Sequence, residues 1–280
     1  MTFPTDAMQT GTQPTRIPLD WWMGRLDKVL EAGALDDATM LVRGLLAERP
    51  LHLQAYERAL AVTWRNDQGG EAADIAHRLL GADPLNVAAR SVLARRAELE
   101  DGIKADRTRA LWQQVWQMHP LHPEMRLQWS RFGADLSLDL PARGFIHMRA
   151  RHWPAARQVF SELASGWPER GDWQLAHLIC TWRDYRNREA LTLARQQVDD
   201  NRHLLAGWRI LSRVGEVADR RVAATYIGMM DPDGNHTRLM LGLGFVPAAS
   251  TVPQLPVPGN NPRLLRCLGL EHLASTTYRY

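Results

Sequence analysis

Apolar residues recur along most of this chain at helical spacing, and the stripes they form come in pairs. Trp22, Leu26, Val29 and Leu30 stand at i, i+4, i+7 and i+8, which predicts one helix face. Gly33 ends that stripe, because glycine takes the left-handed cap conformation at little cost. Ala38, Leu41, Val42, Leu45 and Leu46 make a second stripe, and Pro50 prevents its continuation. The same logic then repeats. Tyr56, Ala59, Leu60 and Thr63 are followed by a polar turn over 66–70, then by Ala72, Ile75, Ala76, Leu79 and Leu80, then by Pro84. A third pair runs from Val87 through Leu93, turns near Asp101 and Gly102, and returns by Ala110, Leu111, Trp112 and Val115 to Pro120. Pro50 and Pro84 lie 34 residues apart, and Ala38 and Ala72 each precede their proline by twelve. A small residue there lets the two helices of a pair approach closely.

The beat falters between Pro120 and Pro168, which are 48 residues apart. That is too long for one pair and too short for two. An irregular insertion over about 119–141 is expected, with a rigid His119–Pro123 link, a short helix near 124–132 and a loop over 133–141. A fourth pair resumes at Pro141 with Gly144, Ala156, Phe160 and Pro168. The fifth sets Trp173, Leu175, Ala176 and Ile179 against Ala190, Leu191, Ala194 and Val198, with Asn201 as terminator. The sixth sets Leu205, Trp208, Ile210 and Leu211 against Val222, Ala223, Tyr226 and Ile227. Residues 1–17 lack periodicity and read as a disordered lead-in, 18–241 as the helical array, and 242–280 as a further segment. In that last segment Pro247, Pro253, Pro256, Pro258 and Pro262 favour extended backbone, and Leu264–Leu273 a short helix laid back as a strap.

The prolines 34 residues apart, and the Gly144, Ala156, Phe160, Pro168 set, resemble the tetratricopeptide repeat (TPR) family. The resemblance covers roughly 18–232; Leu60 and Thr108 depart from it, standing where glycine and alanine are common. It implies an all-α fold, a right-handed superhelical solenoid of about six helix-turn-helix pairs. It also implies a concave groove, lined by first helices, that holds a peptide or a protein segment. The Lys and Asn clamp that some members use for carboxylates has no counterpart among these residues.

In that register the groove-facing end of each first helix carries a cation, often beside a large apolar side chain. The groove residues are Trp64, Arg65, Arg96, Met148, Arg149, Trp182, Arg183 and Arg213. Guanidinium forks suit carboxylates and indoles cap apolar groups, so an acidic peptide is the matching ligand. The same arginines also complement helix C-termini, a purely structural role.

Composition changes this picture little. The net charge is +3, and Lys28 and Lys104 are the only lysines. A helical-repeat nucleic-acid binder, with groove Arg on phosphates and Trp on bases, is the alternative. Asp20, Asp27, Glu31 and Glu57 dilute the first groove helices and speak against a continuous phosphate track. Eleven Trp are first packing residues, Trp22, Trp112 and Trp173 among them. Cys180 and Cys267 match no zinc spacing, and Cys180 falls on an apolar face. The pairs His119/His122 and His147/His152 lack the convergent ligands a metal wants. Asp231-Pro-Asp-Gly lacks the closing glutamate of a calcium loop, and Gly242-Leu-Gly lacks the third glycine of a dinucleotide fingerprint. No nucleophile elbow, phosphate loop or carboxylate pair is present. The expectation is therefore a non-catalytic scaffold without cofactor or metal, cytoplasmic and without a membrane partner, whose oligomeric state the sequence does not reveal.

Overall fold

The structure is a computed structural model that describes residues 17–66 and 69–236. The lead-in and the proline-rich segment expected at the two ends lie outside the described residues, apart from Ile17. Thirteen α-helices and no strand occur among the described residues. The chain divides into two compact units at Pro50.

In the first unit, α1 (Leu19–Glu31) and α2 (Leu35–Glu48) pack as a hairpin. Trp22 and Leu26 are buried against the face of α2 that carries Ala38, Leu41 and Leu45. The Trp22 indole Nε1 donates to Glu48 Oε2 at 2.9 Å, so a buried carboxylate is satisfied from within the hairpin. Gly33 joins the helices at φ 70°, and Ala34 N donates back to Val29 O while Gly33 N donates to Leu30 O. That pair of bonds is a Schellman cap, and it requires a left-handed residue.

The second unit carries α3 (Leu53–Arg65), α4 (Gly69–Ala82), α5 (Val87–Asp101) and α6 (Asp106–Met118). After them come α7 (Pro123–Ser130), α8 (Leu140–Arg149), α9 (Trp153–Gly166), α10 (Gly171–Arg183), α11 (Asn187–Asp200), α12 (Leu205–Val214) and α13 (Val217–Met230). Each helix packs on its chain neighbours, with one interruption: α6 packs on both α7 and α8. The long gap between prolines thus holds three helices where the other pairs hold two. Helix α7 closes over the preceding pair, its Trp129 stacked on Trp116 with centroids 5.8 Å apart.

The small positions explain how closely the pairs approach. Ala72, Ala156, Ala190 and Ala223 are fully buried, and Thr108, the departure from the pattern, is equally buried. A Cβ on Gly144 would come within 2.8 Å of Val159 Cγ1 and 2.9 Å of Phe160 Cζ, so only glycine lets α8 lie against α9 here. Phe145 and Phe160 meet edge to face at 4.8 Å in the core beneath. Trp112 and Trp173 are buried as the stripes require.

The second unit also returns upon itself. The α4–α5 loop, Asp83–Asn86, receives contacts from residues far along the chain. Asn201 Nδ2, at the expected terminator of α11, donates to Gly81 O at 2.6 Å. Arg90 donates to Pro84 O at 2.7 Å and stands 3.7 Å from Asp172. His236 Nε2 meets Asp83 Oδ2 at 3.1 Å. A straight stack, in which each pair touches only its neighbours, would not bring residues 83 and 236 together.

Candidate functional site

Two groups of charged side chains stand out in the second unit, and they differ in whether their charges are met. The first gathers around the α4–α5 loop. Asp172, 2% exposed, takes a bidentate pair from Arg170 at 3.0 and 2.8 Å as well as Arg90. Arg170 also lies over the Trp173 ring at 3.9 Å. His236 Nδ1 stands 2.9 Å from Glu57 Oε1, an ion pair without the alignment of a formal hydrogen bond. Burial alone would lower the His236 pKa, but Asp83 and Glu57 outweigh it and raise it to about 10. The imidazole is therefore a cation held between two carboxylates at neutral pH. Arg209 completes the set by donating to Asp231 Oδ2 at 3.1 Å and to its carbonyl at 2.9 Å. These charges are paired and buried, which suits a structural clasp.

The second group sits at the turns that follow α8 and α10. Arg149 and Arg183 end those helices 34 residues apart, and the turns after them are built alike. Arg151 N donates to Met148 O and His152 N to His147 O; Tyr185 N donates to Trp182 O and Arg186 N to Thr181 O. Both are Schellman caps, as at Gly33, yet the left-handed residue is Arg151 in one and Tyr185 in the other, each at φ 59°. The two turns are neighbours. Arg183 Cζ lies 4.9 Å from the Trp153 ring at the start of α9 and 5.8 Å from its own neighbour Trp182. Arg157 Nε donates to Asp184 Oδ2 at 2.8 Å across the same seam.

Arg149 and Arg183, unlike Arg157, meet no carboxylate among the described residues. Arg183 Nε is buried and has no hydrogen-bond partner among the described residues. The one acid beside it, Asp184, is engaged by Arg157 and lies 3.7 Å from Arg186. Burial pulls the Arg149 pKa down, and no acid offsets it. Arg149 in turn helps depress His119, whose pKa burial, Arg149 and His122 together lower to about 4, leaving a neutral imidazole at pH 7.

Four of the eight residues expected in the groove, Met148, Arg149, Trp182 and Arg183, therefore meet around the α8–α9 and α10–α11 turns. The others lie elsewhere along the array. Arg96 pairs with Glu100 one turn on at 2.5 Å, Trp64 is half-buried and Arg65 exposed at the end of α3, and Arg213 is exposed at the end of α12. Trp153, Arg151 and Tyr185 escaped the sequence reading. Arg151 and Tyr185 share the 34-residue offset of Arg149 and Arg183, a signal that was there to be used. Nothing in the local sequence marks Trp153 as the indole on which Arg183 lies.

Chemically, this arrangement can hold an anion or stack a planar group; a nucleophile is lacking where one was nearest. The Cys180 thiol is fully buried, and burial pushes its pKa up to about 12, so it stays protonated. The rings of His119 and His122 are 6.4 Å apart and those of His147 and His152 6.0 Å apart. Among the described residues no three His, Cys, Asp or Glu side chains are placed to hold a metal ion. No helix among them is long and apolar enough to cross a membrane. Compared with known proteins, the chain matches no protein-family model, and a search of curated proteins returns no match to it.

Proposed function

We propose that this chain is a non-catalytic interaction scaffold of the tetratricopeptide kind, which binds a segment of another protein. In this reading its helix pairs, about six in number, wind with a right-handed sense. The observation that carries the proposal is the pair of guanidinium groups, exposed Arg149 and half-buried Arg183, which no carboxylate of the described residues meets. A guanidinium fork with no carboxylate of its own is free to take one from a bound segment in a charge-assisted, bidentate pair. Trp153, Trp182 and Met148 beside them offer apolar surface for the flanking side chains of such a segment. The packing of consecutive helices around buried alanines supports a rigid array that needs no ligand to form.

Co-precipitation with the full chain, beside an Arg149→Glu, Arg183→Glu double variant, tests this. A protein partner retained by the first and lost by the second is the expected result. Recovery of the same proteins by both, or of none by either, would remove the reading. Salt-sensitive binding of mixed single-stranded nucleic acid, lost in the double variant, would instead support the helical-repeat nucleic-acid binder.

A further inference from the structure

The left-handed residues of the two paired turns are the point at which this protein departs from the cheapest solution to its own fold. Gly33 fills the corresponding position in the first unit at φ 70°. Arg151 and Tyr185 fill it at φ 59° in the second, where a side chain brings its Cβ too near the following carbonyl oxygen. Neither gains packing in exchange. Arg151 is exposed, and Tyr185 is 88% exposed, the most open of the large hydrophobic side chains described. Strain at positions whose side chains stand exposed among the described residues points to a use outside the molecule.

Resting on the reading that this chain binds a protein segment, we infer that the docking surface is this turn edge. Its ligand is an extended acidic peptide that spans both turns, its carboxylates on Arg149 and Arg183 and its backbone or aromatic groups against Tyr185. Charge decides the ligand. Arg149, Arg151, Arg183 and Arg186 belong to these turns, while Asp184 is already bound by Arg157 and Glu189 stands 3.9 Å from His177. The geometry also limits the spacing of the acids. Helix α9 lies between α8 and α10, and packed helices sit about 8–10 Å apart, so the axes that carry the two arginines are at most about 20 Å from one another. An extended chain advances about 3.3 Å per residue, which places the two acidic residues no more than about six positions apart.

Tyr185 is the sharpest handle, because here stability and binding must move in opposite directions. Replacing Tyr185 by Gly relieves the left-handed strain, so the full chain should melt about 2–4 °C higher. The probe is a fluorescein-labelled twelve-residue peptide with two glutamates five positions apart, compared with its glutamine counterpart by fluorescence anisotropy. The glutamate peptide should bind at least about tenfold tighter than the glutamine one at low salt. That preference should vanish in an Arg149→Gln, Arg183→Gln variant, and Tyr185→Gly should weaken the glutamate peptide while raising the melting temperature. Equal binding of the two peptides overturns the acidic-ligand inference and leaves protein binding as such standing. Tight binding that survives both variants places the ligand off this edge and overturns the inference equally. No binding of either peptide, or displacement of the peptide by a single-stranded oligonucleotide, also overturns it. The co-precipitation described above judges the broader reading separately.

Discussion

The α4–α5 loop and the α8–α9/α10–α11 turn edge are both rich in arginine and indole, yet they use them in opposite ways. At the loop, Arg90, Arg170 and Arg209 each meet a buried aspartate, and His236 lies between two acids. At the edge, Arg149 and Arg183 meet none among the described residues. The same residue types therefore hold the second unit together in one place and remain available in the other. What separates the clasp from the proposed docking edge is the presence of the counter-charge, and each region predicts a different response to substitution.

Removing the counter-charge from the clasp gives the largest effect. Asp172→Asn takes from Arg90 and Arg170 the buried carboxylate they share and should cost about 3–5 kcal/mol in chemical denaturation. Arg183→Gln at the edge should cost about 1 kcal/mol or less, since it loses cation–ring contacts with Trp153 and Trp182 but no ion pair. Comparable losses at the two sites would erase the distinction.

Proton linkage sharpens the comparison. His236 carries a folded-state pKa of about 10, above its unfolded value near 6.5. Its contribution is full below pH 6.5 and is lost as pH rises toward 10, so the second unit should weaken over that window. His236→Gln should cost about 3 kcal/mol near neutrality and remove that slope. His119 works in the other direction. Its folded pKa of about 4 lies below the unfolded value, so the unfolded chain takes up a proton first and stability falls as pH drops from about 6.5 to 4. His119→Gln should flatten that acid limb while leaving the alkaline one intact; thermal melts across pH separate the two.

The smallest effects test the turns. Gly33→Ala should destabilise the first hairpin by about 1–2 kcal/mol, since a side chain would then occupy a left-handed residue. Arg151→Gly should stabilise by a similar or smaller amount for the mirror-image reason. A loss of stability on Arg151→Gly would mean that its side chain supports the fold.

Much of the architecture could be read from the stripes and their punctuation. Gly33, Pro50, Pro84 and Gly102 mark ends that the helices observe, and Ala38, Ala72 and Ala156 are buried where close approach demands a small residue. The short helix expected near 124–132 exists as α7, displaced by a residue or two because Pro123 suits a first helical turn. The clasp was not legible. Asp83, Asp172 and His236 each read locally as a loop or cap residue, and only the return of the chain joins them across 153 positions. The edge was half legible, since periodicity singled out Arg149 and Arg183. Whether an arginine is paired, however, depends on which acids the neighbouring helices deliver, and Arg96 with its Glu100 shows the other outcome.

The bond from Asn201 to Gly81 and the contact of His236 with Asp83 bear on how the second unit comes apart. Arrays coupled only between neighbours can fray from one end, with terminal pairs opening before central ones. Here the last described residues are tied to the second pair of helices, so neither end can open without breaking the other's contacts. Amide exchange in α4 and α13 should accordingly report nearly the same opening free energy, as a single cooperative block rather than a gradient.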